Sequence, residues 1–266
     1  MSAFSDLDAS ANVGGLLAYL DDTDRSLAGI KAYVAALATQ YAKGELVLDL
    51  GCGVGHDLRR LASAGTCPVG LDVSAHALGR ARAVGAPVVC GDGGRLPFAS
   101  NAFTGCRVER VLQHVADPSR VLDEVIRVVR PSGFIAVFEP DHTTFRVDSD
   151  LVPDGTLPGR FISVRHPRIG TDVAELLRTR ACTVVDIVTE TSFGFRLDAL
   201  PFDAARLTQR GVETGALDAR LRAAWLEEQQ ARVRSGGFRA SWTNILTVAR
   251  RDPATAPMAR DVRVAA

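Results

Sequence analysis

Asp49 closes the apolar run Val47-Leu48 and is followed by glycine at every second position, at Gly51, Gly53 and Gly55. Alternating glycines let a backbone turn tightly and come close to a ligand. A helix starting just beyond them offers free amide donors and the positive end of its dipole. A pyrophosphate turn wants G-x-G-x-x-G, but here the third glycine would have to be His56 or Leu58. Asp72 ends a second apolar run, twenty-one residues past Gly51, where a carboxylate can accept both hydroxyls of a ribose. His114, His142 and His166 follow later apolar runs and supply side chains for general-base work. Asp141 precedes His142 and can polarise or orient it or His114.

These residues need a scaffold that brings strand ends together. Short apolar runs at Leu46 to Leu50, Pro68 to Leu71, Pro87 to Cys90, Phe103 to Val108 and Phe134 to Phe138 read as strands. Helical patterns lie between them. One covers Leu16 to Gln40, one runs from His56 to Ala64, one follows a Ser74 cap as far as Arg82, and one starts at Pro118. Strands that are apolar on both sides and alternate with helices predict a mainly parallel sheet covered on both faces. After Glu139 the rhythm slackens through four prolines. A helix capped by Thr171, a strand at Thr183 to Val188, a helical stretch from Leu197 to Arg234 and a last strand at Trp242 to Ala249 follow.

Composition narrows the partners. The 266 residues carry 31 basic and 31 acidic side chains. A zero balance gives no footprint for nucleic acid or an anionic membrane. No stretch approaches the ~18 apolar residues of a transmembrane helix, and Asp6 and Asp8 do not suit a secretion signal. The five cysteines are widely spaced, without a C-x-x-C pair, so no metal site is expected and reduced thiols in a cytoplasmic protein are.

The segment Asp49-x-Gly51-x-Gly53-x-Gly55 resembles the first motif of class I S-adenosyl-L-methionine (SAM)-dependent methyltransferases, in the small-molecule, type 11-like branch. The resemblance implies that the glycine turn lies against the methionine part of SAM, with Asp49 acting around its ammonium. Asp72, with Val73 beside it, then takes the ribose position. Gly91-Asp92-Gly93-Gly94-Arg95-Leu96-Pro97-Phe98 resembles the family's G-D-x-x-x-L-P-F, which gives Asp92 and Gly93 to the adenine. Glu109 and Arg110 fall where relatives line the methionine side, ahead of a short helix ending in L-x-H at His114. Tyr19 lies in an N-terminal segment that closes over SAM in this family.

The resemblance implies a Rossmann-like, seven-stranded, doubly wound α/β sheet with helices on both faces and its last strand antiparallel. A single domain spans 1–266. Residues 1–43 form a helical lid, 44–139 the SAM half, 140–170 an acceptor-side insertion, 171–250 the rest of the sheet with its helices, and 251–266 a tail. The expected reaction moves a methyl group from SAM to a small organic acceptor, on oxygen or carbon, such as a quinone-like or secondary metabolite. His114, His142 and Asp141 are the candidate catalytic residues, in a monomer or homodimer. Two other functions fit the same motifs: a SAM-binding cyclase or other non-methylating SAM protein, and a nicotinamide-dependent oxidoreductase.

Overall fold

The computed structural model describes residues 27–195 and 204–253. Helix α1 (Ala28–Ala42) leads to strand β1 (Leu46–Leu50), and the alternation continues through α2 (His56–Ser63), β2 (Cys67–Asp72), α3 (Ala75–Ala81), β3 (Val88–Cys90) and β4 (Phe103–Glu109). Then come α4 (Pro118–Val128), β5 (Val129–Val147), α5 (Ile169–Arg178), β6 (Cys182–Gly194), α6 (Ala204–Glu213), α7 (Ala219–Arg234) and β7 (Ala240–Arg251). One sheet holds all seven strands in the order β3-β2-β1-β4-β5-β7-β6. Strands β1 to β5 run parallel, and β7 lies antiparallel between β5 and β6. This is the expected doubly wound sheet. The order reverses between β1 and β4, which opens a crevice at their carboxyl ends.

Alternation along each strand divides the core. Val47, Phe134, Ala136 and Phe138 meet Ile30, Val34 and Ala38 of α1 on one face. Leu48, Leu50, Cys106, Val108, Ile135 and Val137 meet α4 and α5 on the other. On α4 the apolar stripe Val121, Leu122, Val125 and Val128 is fully buried. Burial of each is worth at most about 1.5–3 kcal/mol. Asp117 caps that helix by accepting from the Arg120 amide, and Pro118 opens its first turn. Ser74 caps α3 in the same way through the Ala77 amide, a contact worth about 1 kcal/mol.

The structure corrects several expected boundaries. Strand β5 runs on to Val147, so the first eight residues of the expected 140–170 insertion belong to the sheet. Strand β4 ends at Glu109 opposite Phe138. Beyond that point β5 has β7 as its neighbour, and Pro140 gives up less there than in a strand paired on both sides. Thr171 is not a cap, because α5 starts at Ile169 and Thr171 lies in its first turn. The stretch after β4 is a hydrogen-bonded turn, with His114 N on the Val111 carbonyl, in place of the expected short helix. The long C-terminal helix is broken at Gly215, whose φ is +70°. A second small core lies beyond the sheet, where Phe145, Val147 and Leu157 meet Leu217, Trp225 and Phe238. Among the described residues no helix is long and apolar enough to cross a membrane. Tyr19, most of the expected lid and most of the tail lie outside the described residues.

Candidate cofactor and acceptor site

The glycine turn sits in the crevice where the sheet order reverses. Gly51, Gly53 and Gly55 all have left-handed φ, at 75°, 51° and 86°. At Gly51 a Cβ would lie 2.2 Å from a Val111 methyl, so a side chain there collides with the turn after β4. The Gly51 and Cys52 amides donate to the Leu71 carbonyl, which pins the turn to the end of β2.

Asp72 clasps the turn from that side. Its Oδ2 accepts from Gly53 N at 2.9 Å and its Oδ1 from Ser74 N at 2.9 Å. Each carboxylate oxygen has a second acceptor position, so the clasp and a pair of ribose hydroxyls are compatible. Val73 beside it is 60% exposed, as a residue flanking a ligand would be. Asp92 is exposed beyond β3, and its Oδ1 accepts from the Gly94 amide at 2.9 Å. Gly93 packs against Leu50. Phe98 is half-buried and packs against the core, its ring set edge-on to Phe103 with centroids 5.0 Å apart.

Where the methionine end of SAM is expected, the structure departs from the expected arrangement. Asp49 is fully buried and is held by a residue of this chain. Asp49 and Arg107 are partners in the β1–β4 register, so their side chains share one face. Arg107 Nη1 donates to Asp49 Oδ1 at 2.6 Å, while Nη2 donates to Asp57 Oδ2 at 2.6 Å and to Glu109. Lys31, from α1, donates to Asp57 at 2.5 Å and to Glu109 at 3.0 Å. Arg60 reaches Asp57 at 3.2 Å. Three carboxylates thus meet Arg107 and Lys31 in a buried cluster.

Charge explains their titration. Burial pushes Asp49 up to about 6 against the pull of Arg107. Burial also opposes ionisation of Asp57, but Arg107, Lys31 and Arg60 outweigh it and bring that carboxyl down to about 2. Asp49 Oδ2 has no partner among the described residues. The cluster therefore keeps acceptor capacity beside the glycine turn, on a donor set suited to a cationic amine. Together with the glycine cradle, these residues fit SAM.

The turn after β4 is the second centre. Arg110 takes φ +54°, a left-handed conformation uncommon for a residue with a Cβ. Its amide donates to the Phe138 carbonyl at 2.9 Å, and its guanidinium lies 3.6 Å from Glu109. Glu139 follows on β5 and is fully buried. Its Oε1 accepts from the Val111 and Leu112 amides at 2.7 and 2.6 Å. Burial pushes its carboxyl up to about 8 despite those bonds.

His142 is buried, and its Nε2 lies 2.6 Å from Gln113 Oε1. The Gln113 carbonyl accepts from the Arg165 amide at 3.0 Å, and His166 bonds the Val115 carbonyl through Nε2 at 3.1 Å. The turn, the end of β5 and the loop before α5 therefore converge on Gln113. Burial holds His142 down at about 4, and burial and the neighbouring His142 hold His114 down at about 3. Both rings are neutral near pH 7. The Asp141 carboxylate is engaged elsewhere. Its Oδ1 accepts from the Thr143 amide and hydroxyl and its Oδ2 from the Thr171 hydroxyl, so it ties β5 to α5.

Sequence reasoning reached the glycine turn, Asp72, Glu109 and the two histidines, and it missed Lys31, Asp57, Arg107, Gln113 and Glu139. A signal for Arg107 exists: an arginine inside an otherwise apolar strand demands a buried counter-charge.

A groove lies against the second core. It has a volume of about 740 Å³ and is lined by Leu151, Leu157, Phe161, Leu217 and Leu221. An ion pair between Arg160 and Asp154, at 2.8 Å, stands at the same groove.

Residues 48–137 match the model of a methyltransferase domain. An uncharacterized 37.1 kDa protein in transposon TN4556 of Streptomyces fradiae is 35% identical over 225 residues, 79% of this chain and 64% of that protein. Demethylmenaquinone methyltransferase from Corynebacterium kroppenstedtii is 38% identical over 96 residues, 36% of this chain and 42% of that enzyme. The matched part thus spans less than two thirds of either relative. A solved SAM-dependent methyltransferase from Methanosarcina mazei has a TM-score of 0.52 at 15% identity, covering 82% of this chain and 97% of its own, and shares the fold. Residues 48–137 thus form a methyltransferase domain, similar to the class I SAM-dependent methyltransferases. The cofactor of that family is S-adenosyl-L-methionine.

Proposed function

We propose that this chain transfers a methyl group from SAM to a small, largely apolar organic acceptor, on oxygen or carbon. The observation that carries the reading is the left-handed glycine turn at Gly51–Gly55, clasped by Asp72 in the crevice of a β3-β2-β1-β4-β5-β7-β6 sheet. Asp72 and Asp92 would hold the adenosine, and Glu109 with the Asp49–Arg107 cluster would meet the amino-acid end. When bound, SAM supplies an electrophilic methyl group on a sulfonium that departs as a neutral thioether.

The chain's residues then orient the acceptor, exclude water and take its proton. His142 is the proposed base. It is neutral at working pH and stands where the turn after β4, the end of β5 and the loop before α5 meet. His114 packs beside it. The similarity to demethylmenaquinone methyltransferases supports a quinone-like one. A small-molecule acceptor in a cytoplasmic setting fits the balanced charge of the chain.

The test incubates the full chain with tritium-labelled SAM and a panel that includes a reduced 1,4-naphthoquinone, then measures S-adenosylhomocysteine and labelled product. Release of both in equal amounts is expected. SAM binding without transfer to any acceptor overturns the reading and favours a cyclase or other non-methylating role. Binding of NADH in preference to SAM overturns it in favour of an oxidoreductase.

A further inference from the structure

We propose that Glu139 is a specificity-determining residue for the cofactor, its buried carboxylate favouring the sulfonium of SAM over the neutral thioether of S-adenosylhomocysteine. The proposal rests on the methyl-transfer reading and deepens it. The two ligands share their adenosine and their amino-acid end. They differ in one methyl group and in one positive charge on sulfur. A residue that separates them by charge must act on that sulfur. Asp72 and Asp92 would hold the adenosine, and Asp49 with Glu109 would meet the amino-acid end, so these four treat both ligands alike.

Glu139 is placed otherwise. It follows Phe138, which pairs with Glu109 across β4 and β5, so it lies at the carboxyl end of the sheet beside the crevice. Its Oε1 holds the Val111 and Leu112 amides. A Val111 methyl rests on Gly51, so closely that a Cβ on that glycine would lie 2.2 Å from it. The turn that Glu139 clamps is thus the one that packs on the glycine cradle, where the methionine part of SAM would lie. Glu139 is fully buried, and its Oε2 accepts no hydrogen bond from the described residues. A buried carboxylate with an unsatisfied oxygen gains more from a nearby positive charge than an exposed one does.

The charged groups around Glu139 come from every element packed on it. On β4, Arg107 is paired with Glu109, which also holds Lys31, and Arg110 lies against Glu109 from the turn. Burial keeps His142 down at about 4, and burial with the neighbouring His142 keeps His114 down at about 3, so both rings are neutral above pH 6. Bonds from Thr143 and Thr171 hold Asp141 below its ordinary value against burial. Gly170 of α5 packs on the Glu139 carbonyl, and Arg168 and Asp172 flank it at the surface. His166 is bonded to the Val115 carbonyl. On β7, Ile245 stands opposite, between the uncharged Asn244 and Leu246.

Burial raises Glu139 to about 8, so it passes from neutral to charged between pH 7 and pH 9. The charged form attracts a sulfonium and the neutral form does not. Preference for SAM over S-adenosylhomocysteine therefore grows as pH rises through that window. By linkage, SAM lowers the proton affinity of Glu139 and drives off its proton on binding, which the uncharged thioether does not do. Once the methyl group has been transferred, Glu139 has no cation to hold, and the product leaves more readily than the donor.

Calorimetric titration of the full chain with SAM and with S-adenosylhomocysteine, without acceptor, tests this at pH 6.5, 8 and 9. Buffers of different ionisation enthalpy count the protons released. In the wild type the ratio of the two affinities should shift toward SAM by about tenfold from pH 6.5 to pH 9. At pH 8 SAM should release more protons than S-adenosylhomocysteine. Glu139→Gln keeps a carbonyl oxygen for both amides and cannot ionise. It should hold the ratio near its value at pH 6.5 and abolish the difference in proton release. The ligands' own amino groups and the remaining side chains are common to both chains and cancel between them.

A wild-type ratio that stays constant from pH 6.5 to pH 9, with both ligands bound, overturns this proposal alone, whether or not the glutamine variant folds. So does a glutamine variant whose ratio rises with pH as the wild type's does. A wild type that binds neither ligand overturns the methyl-transfer reading, and this proposal with it.

Discussion

Arg107 and Asp49 face each other across paired strands β4 and β1, with Nη1 and Oδ1 2.6 Å apart and neither side chain more than 5% exposed. The pair fixes how the site is charged. An aspartate near the end of β1, just before the glycine turn, is free to meet a ligand's ammonium only if nothing else claims it. Here Arg107 claims one oxygen, and the same guanidinium also reaches Asp57 and Glu109. Arg107 is therefore the counter-ion of the whole acidic cluster. Its removal leaves the buried Asp49 without a counter-charge and leaves Glu109 and Asp57 to Lys31 and Arg60. Arg107→Met should destabilise the fold by about 3–5 kcal/mol in urea unfolding. Asp49→Asn should cost less, because Arg107 keeps Asp57 and Glu109. A loss below about 1 kcal/mol for Arg107→Met, the worth of an exposed pair, would show that the cluster is not the buried unit described here.

Asp72 has two duties, and one substitution separates them. It clasps Gly53 and Ser74 through their amides, and in the proposed function it accepts the ribose hydroxyls. Asp72→Ala removes both and should weaken S-adenosylhomocysteine binding by about 1–3 kcal/mol. Asp72→Asn keeps one carbonyl oxygen for the clasp and should lose less stability than the alanine variant. Calorimetric titration of both variants, with their melting temperatures, makes the comparison. Unchanged affinity in the alanine variant would remove Asp72 from the site.

The parts that were legible in the sequence follow from local rules. Glycines at alternate positions, a serine before α3, a proline opening α4 and apolar runs of strand length each act within a few residues. The sheet and the cradle could therefore be read directly. The missed parts are pairings over long separations. Arg107 meets Asp57 across fifty positions, and Lys31 meets Glu109 across seventy-eight. Gln113 meets His142 across twenty-nine. No local pattern encodes such partners; the register of the sheet does. Asp141 shows the converse. Its place beside His142 suggests a catalytic pair, but the bend where β5 slips against β7 turns its carboxylate to Thr143 and Thr171.

Glu139 gives stability a dependence on alkali. An unfolded glutamate titrates near 4.5, and burial raises this one to about 8. Between those values the native chain holds a proton that the unfolded chain has lost, so stability falls as pH rises through the window. Glu139→Gln keeps a carbonyl for the Val111 and Leu112 amides and cannot ionise. Its stability relative to wild type should rise from pH 5 to pH 8, by at least about 2 kcal/mol. Urea unfolding of both chains at the two pH values measures it. A constant difference would mean that Glu139 ionises as readily in the native chain as in the unfolded one.

The two buried histidines act at the acid end, with the opposite slope. An unfolded histidine titrates near 6.5, whereas burial holds His142 at about 4 and His114 at about 3. As pH falls below about 6.5 the unfolded chain gains protons that the native rings refuse, so stability is lost on acidification. The loss from His142 is complete near pH 4, where both states are protonated. His142→Gln removes one such site and should flatten the acid limb. Between pH 7 and pH 4.5 the variant should lose about 2 kcal/mol less than wild type. Acidic side chains shared by the two chains cancel in that comparison, which leaves His142 and its effect on the neighbouring His114. If both chains lose the same stability, His142 carries its proton as easily when folded as when unfolded, and a neutral base at that position loses its physical support.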